Sequence, residues 1–157
     1  MSLLLNGSIN NTIHIEMLEK ILYTGGTFDL FHSGHVNFLK QCKSISTKIV
    51  VALNTDEFVE QYKGQKPVID YQRRQESLLL CNYVDEVVEN IGGSDSKPSI
   101  LKVSPNIIAI GDDWCCKDYY KQMGFSQEWL DKNSITLVYL PYTQGISTSL
   151  IKKELRF

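Results

Sequence analysis

His32 and His35 close the run Thr24-Gly25-Gly26-Thr27-Phe28-Asp29-Leu30-Phe31-His32-Ser33-Gly34-His35. On a helix, a spacing of three lets both imidazoles face the same way. The preceding Lys20-Ile21-Leu22-Tyr23-Thr24 is a short apolar run of strand type, and Val36, Leu39 and Cys42 follow at helical spacing. The pattern is strand, glycine turn, helix start. The free backbone N–H groups of a first helical turn point at any anion that arrives, and glycine at 25, 26 and 34 lets the backbone come close to it. Two imidazoles placed there can donate to phosphate oxygens as these gain charge, which lowers a transfer barrier with no covalent intermediate. Capping or core histidines are one alternative. A metal pair completed by Cys115 and Cys116 is another, but adjacent cysteines at a helix start diverge, which ill suits a four-ligand site.

Further groups could join such chemistry. Lys63-Gly64-Gln65-Lys66-Pro67 is a loop by its glycine and proline, and a solvated charged loop is the ordinary fate of such a run. In Tyr71-Gln72-Arg73-Arg74, an arginine fork suits a phosphate monoester, while a surface ion pair of Arg74 with Glu76 or Asp70 competes with that use. Gly111-Asp112-Asp113-Trp114 ends an apolar run where an Asx turn favours one aspartate but does not require two. Thr143-Gln144-Gly145-Ile146-Ser147-Thr148-Ser149 precedes Leu150, Ile151 and Leu155 at helical spacing. Ser147 is then an N-cap, and a helix start rich in hydroxyls is also an anion site.

These groups need elements to hold them. Apolar runs at Ile21 to Thr24, Lys48 to Asn54, Val84 to Glu89, Ile107 to Ile110 and Ile135 to Leu140 alternate with helical patterns. Helices are expected over 34–44, 55–61, 70–81, 96–103, 115–123 with a short second helix from Ser126 to Lys132, and 147–155. Strands alternating with helices imply α/β class, a single-domain Rossmann-like doubly wound sheet of five parallel strands. Its cleft lies at the carboxyl ends of the strands. There Thr24-Gly25-Gly26, Gly111-Asp112 and Tyr142-Thr143, remote in sequence, should meet.

Length and composition agree. The 157 residues suit one domain, 20–157, with residues 1–19 an unassigned N-terminal extension in which neither period is sustained. Hydrophobic residues at 43% and charged ones at 22% are globular values. A net charge of −2 gives no basic stripe for a nucleic-acid duplex, so no nucleic-acid partner is expected. No run of eighteen apolar residues and no secretory leader pattern occurs, which predicts a cytoplasmic protein without a membrane partner. Of four cysteines, Cys42 and Cys81 fall in apolar helical stretches, and none suggests a disulfide framework.

Gly25-Gly26-Thr27-Phe28-Asp29 with His32-x-Gly34-His35 resembles the signature of the HxGH-type nucleotidyltransferase superfamily. Tyr83-Val84-Asp85-Glu86-Val87, Gly111-Asp112-Asp113-Trp114 and Thr143-Gln144-Gly145-Ile146-Ser147-Thr148 resemble its cytidylyltransferase branch, most closely the glycerol-3-phosphate cytidylyltransferases. Four ordered motifs from about Ile21 to Leu155 make a specific signal. The resemblance implies transfer of a cytidylyl group from CTP to a phosphorylated alcohol, with Mg²⁺ bridging triphosphate oxygens while keeping several waters, and it implies a homodimer. Alternatives are an adenylyltransferase of the same superfamily and a regulator that binds nucleotide without catalysis. It also implies that His32 and His35 are catalytic and that Lys63, with Lys66 second, sits on a mobile loop over the triphosphate. Arg74 would hold the acceptor's phosphate or the CTP tail. The nucleotide would be bound by Thr24, Gly25, Gly26, Thr27, Phe28, Asp29 and Gly34, by Asp112, which can accept from the cytosine amino group, and by Thr143, Gly145, Ile146, Ser147 and Thr148. No metal ligand from the protein is implied. Relatives carry arginine where this chain has Asn82 and Tyr142; the expectation is an acceptor that differs from glycerol 3-phosphate and bears additional polar groups.

Overall fold

The computed structural model describes residues 18–112 and 118–156. In it, β1 (Ile21–Gly26), β2 (Lys48–Leu53), β3 (Glu86–Glu89), β4 (Ile107–Gly111) and β5 (Thr136–Leu140) pair in parallel in the order β3-β2-β1-β4-β5. The helices are α1 (Ser33–Ile45), α2 (Asp56–Lys63), α3 (Tyr71–Leu79), α4 (Lys97–Val103), α5 (Tyr119–Met123), α6 (Gln127–Lys132) and α7 (Thr148–Leu155). Ile49 to Leu53 is buried at every position, as an aliphatic run covered on both faces must be. Successive β1 side chains go to opposite faces. Leu22 joins Leu39, Cys42, Ile49, Val51 and Leu78 on the side of α1 and α3. Tyr23 joins Ala52, Ile100, Ile108, Tyr119 and Leu130 on the side of α4, α5 and α6.

After β3 the chain returns across the sheet to lay β4 on the other side of β1, so the winding reverses between β1 and β4. That is the switch point at which an open parallel sheet leaves a crevice beyond its strand ends. Helix starts aim their N–H groups there through side-chain caps. Thr55 Oγ1 caps Phe58 N, and Ser147 Oγ caps Leu150 N.

The expected elements are present, with local shifts. Gly25 and Gly26 do not form the expected turn; they pair with Ala52 and Leu53 as the last residues of β1. The chain reverses instead at Phe28 and Leu30, whose φ angles of 50° and 48° are left-handed. Gly26 is needed for a different reason. A Cβ there would lie 2.9 Å from the Phe28 ring, so glycine makes room for the ring folded back on the strand end. Helix α3 stops at Leu79, before an 84% exposed Leu80, which leaves Cys81 just past the helix instead of in it. β3 starts two residues later than expected, at Glu86. Residues 113–117, with Asp113, Trp114 and the Cys115-Cys116 pair, and residues 1–17 of the extension lie outside the described residues.

Candidate active site

A cavity of about 530 Å³ opens over the strand ends. His32 is the N-cap of α1, its Nδ1 accepting from Gly34 N at 3.1 Å, and His35 Nδ1 accepts from His32 N at 3.3 Å. Both Nδ1 atoms are therefore acceptors, which assigns the proton of each neutral ring to Nε2. The rings stack with centroids 3.8 Å apart and both line the cavity. Gly34 permits this geometry, since a Cβ there would stand 2.9 Å from His32 Cε1 and 3.2 Å from Ile146 Cγ2. Phe31 stacks on the outer face of His35 at 5.5 Å, and Phe28 packs at 5.2 Å.

Burial, and then the neighbouring His32, push the His35 imidazole down to about 3; burial alone lowers His32. At neutral pH the shifts favour the neutral form of both rings, which leaves each Nε2–H as a donor group. The same shift sets a stability trend. Unfolded imidazoles with an ordinary value near 6.5 take up protons as pH falls, while the folded His35 does so only near 3. Folding then weakens through that window as the unfolded chain binds more protons. Urea midpoints measured from pH 7 to pH 4 should fall more steeply for the native chain than for His35→Gln.

Asp29 sits between the two left-handed residues and is 4% exposed. Its carboxylate accepts from Val68 N and Ile69 N at 2.9 and 3.0 Å and pairs with Lys152 at 3.1 Å. Burial raises its pKa, but these N–H groups and the ammonium outweigh that, and the carboxyl is held below its usual value. Thr148 Oγ1 donates to Asp29 O at 2.8 Å. Asp29 thus borders the cavity and joins the loop after β1 to the 66–70 segment and to α7.

Arg74 is buried. It is 1% exposed, and its guanidinium donates to Ile69 O, Thr27 O, Asn54 O and Asp56 Oδ1 at 2.9, 2.6, 2.9 and 2.6 Å. It does not line the cavity. The surface pair with Asp70 is made by Arg73, and Arg74 braces the carboxyl ends of β1 and β2 from behind.

The other expected residues divide. Thr24, Gly25, Gly26, Thr27, Phe28, Gly34, Lys63, Thr143, Ser147 and Thr148 line the cavity. Lys63 does so as the last residue of α2, not on a loop, because Gly64 with φ 76° ends the helix just after it. Lys66 is exposed and 3.9 Å from Glu60, away from the lining. Asp112 lies at the rim between the lining residue Gly111 and Tyr142, accepting from Tyr142 N at 2.9 Å. Gly145, with φ 80°, and Ile146 shape the turn into α7, where Ile146 O accepts from Tyr142 Oη at 3.3 Å. Tyr142 lines the cavity, but Asn82 lines a separate recess with Phe31, Val36, Leu80 and Tyr83. Asn82 itself is therefore not a wall residue of this cavity, whereas Tyr142 is.

Sequence reasoning missed Asn54 and Asn90, which are linked at 2.7 Å and both line the cavity. The signal was available. Each is the first residue past a parallel strand, β2 and β3, the position that faces the crevice. Phe58, Tyr62, Tyr119 and Gln122 are among the remaining wall residues and carry no such signal.

Known proteins resemble this chain in sequence and in fold. The cytidylyltransferase-like family model matches residues 23–154. The chain is 37% identical over 139 residues to the glycerol-3-phosphate cytidylyltransferase of Bacillus subtilis, covering 88% of this chain and 98% of that protein. It is 35% identical over 129 residues to an FAD synthase of Pyrococcus horikoshii, covering 81% and 86%. A lipopolysaccharide core biosynthesis protein from Thermoplasma volcanium superposes with a TM-score of 0.64 at 25% identity, over 80% of this chain and 97% of that one. Stacked histidines at a helix start over a parallel-sheet crevice, and sequence likeness along almost the whole described fold, lead to one assignment: the chain belongs to the cytidylyltransferase-like family and is a nucleotidyltransferase.

Proposed function

We propose that the chain transfers a cytidylyl group from CTP to a phosphorylated alcohol. The observation that carries this is the stacked His32 and His35 pair facing the same cavity as the Ser147 and Thr148 hydroxyls at the start of α7. An oxygen of the acceptor's phosphate attacks the α-phosphorus, the bond to the β-phosphate breaks, and pyrophosphate and a CDP-alcohol leave. The α-phosphate oxygens gain charge on the way, and the fixed Nε2–H groups donate to them. The α7 start and Lys63 face the departing pyrophosphate. Mg²⁺ arrives with the triphosphate. Its ligands would be triphosphate oxygens and water, as the family resemblance implies.

The acceptor is a glycerol-3-phosphate-like alcohol, in keeping with the 37% identity to a glycerol-3-phosphate cytidylyltransferase. Additional polar groups on it would meet Tyr142, Asn90 and Gln122 on the walls. The FAD synthase likeness supports a second reading, adenylyl transfer from ATP to a flavin phosphate. A homodimer is part of this proposal and rests on the family resemblance; among the described residues no helix is long and apolar enough to cross a membrane.

The test is pyrophosphate release with CTP or ATP against glycerol 3-phosphate, longer polyol phosphates, phosphocholine and FMN. CTP with a polyol phosphate should win, and Asp112→Ala should narrow the preference for CTP over ATP. Release from ATP with FMN, and none from CTP, would replace this reading with the second.

A further inference from the structure

Thr27 is a fixed post at the mouth of the cavity. Its carbonyl accepts from Arg74 at 2.6 Å and its Oγ1 accepts from Asn54 Nδ2 at 3.3 Å. From that post hangs a side chain that neither the motifs nor the resemblance singled out. Tyr62 Oη lies 3.0 Å from Thr27 Oγ1, bridging from the last turn of α2 to the loop after β1. The Tyr62 ring is 45% exposed, packed on one side by Phe58 at 5.0 Å. Over it, 5.4 Å from the centroid, stands Lys63 Nζ. Lys63 is the one lysine or arginine that lines the cavity among the described residues.

A lysine at the end of a helix has four rotatable bonds and loses that freedom when it meets an anion. A ring beneath the ammonium restricts the freedom beforehand and attracts the charge. A ring that is itself nearly half exposed can do so only if something fixes it. The bond to Thr27, and the Phe58 contact, are what fix it. Gly64 then ends α2 at φ 76°, and among the described residues no later lysine or arginine lines the cavity.

We propose that Tyr62 is a positioning residue: its ring carries Lys63 over the cavity, and its hydroxyl locks the ring to Thr27, so that the ammonium waits where a polyphosphate must lie. The inference rests on the reading of this cavity as a triphosphate site, but not on which base the nucleotide carries.

The probe is inorganic tripolyphosphate with Mg²⁺, titrated calorimetrically into the folded protein. Tyr62→Leu removes platform and lock and should weaken binding about two- to tenfold, the scale of a cation–π contact at an exposed site plus one hydrogen bond. Tyr62→Phe keeps the platform and should lose less. In a Lys63→Ala background both substitutions should be silent, because the group they orient is gone. A purely structural Tyr62 would not give that coupling. Equal losses with and without Lys63, no loss in Tyr62→Leu, or no tripolyphosphate binding by the native chain would each overturn the proposal. A preference for ATP over CTP in separate titrations would overturn the cytidylyl reading and leave this one standing.

Discussion

Replacing His32 or His35 by alanine should lower turnover at least about a hundredfold, the scale of losing one preorganised transition-state donor. Nucleotide affinity should fall much less, because the donors gain most of their strength as charge builds on the α-phosphate. His32 has a second duty that could confuse the result. Its Nδ1 caps α1 by accepting from Gly34 N, and losing a cap costs about 1 kcal/mol of stability. Asparagine separates the two duties, since its side-chain oxygen is a good cap but offers nothing where Nε2 stood. His32→Asn should recover the thermal midpoint and not the rate. Near-native turnover in folded alanine variants at both positions would sink the catalytic assignment.

Arg74→Ala should cost stability first and activity as a consequence. The guanidinium is 1% exposed and holds three carbonyls and the Asp56 carboxylate together. Its removal leaves three carbonyls without this donor and the Asp56 carboxylate without its ion partner; because Asp56 is 21% exposed and still accepts from Tyr71 N, the loss should fall at or below the lower end of the about 3–5 kcal/mol for a broken buried pair. Arg74→Lys keeps the charge but not the fork, and one ammonium with three donors cannot reach all four acceptors. It should lie between the two in a urea titration. The sequence-based expectation that Arg74 binds a substrate phosphate makes the opposite forecast: a raised KM for acceptor or nucleotide with an unchanged urea midpoint. The two measurements on one variant decide between brace and ligand.

Arg74 also marks where sequence reading runs out. Short apolar runs located all five strands and helical spacing every described helix, because both patterns are written locally in the chain. The histidines were legible for the same reason: the strand before them and the helix after them fix where they stand. Whether an arginine points outward depends on partners 18 to 47 positions away, at Asp56 and Thr27, and no local pattern encodes that. The glycines were placed correctly at the strand end, but the turn expected of them is made by Phe28 and Leu30. A Gly-Gly pair signals a turn, while the use of Gly26 in clearing space for the Phe28 ring is a tertiary fact. Asn82 is similar. Its alignment to a relative's arginine is a matter of sequence, but its place in a recess behind α3, outside the main cavity, follows from where Leu79 ends the helix.

One link has a bearing on how the protein is made. Asp29 shapes the bend that leads to the histidines, yet two of the contacts that hold it come from α7: Thr148 Oγ1, 119 positions later in the chain, on its carbonyl, and Lys152 on its carboxylate. On a ribosome the histidines therefore emerge before α7, with Thr148 119 positions behind Asp29. Until α7 has emerged, the growing chain carries the imidazoles at their helix start without two of the contacts that hold the bend leading to them. The bend is complete only when a distant stretch of the chain has come back to it.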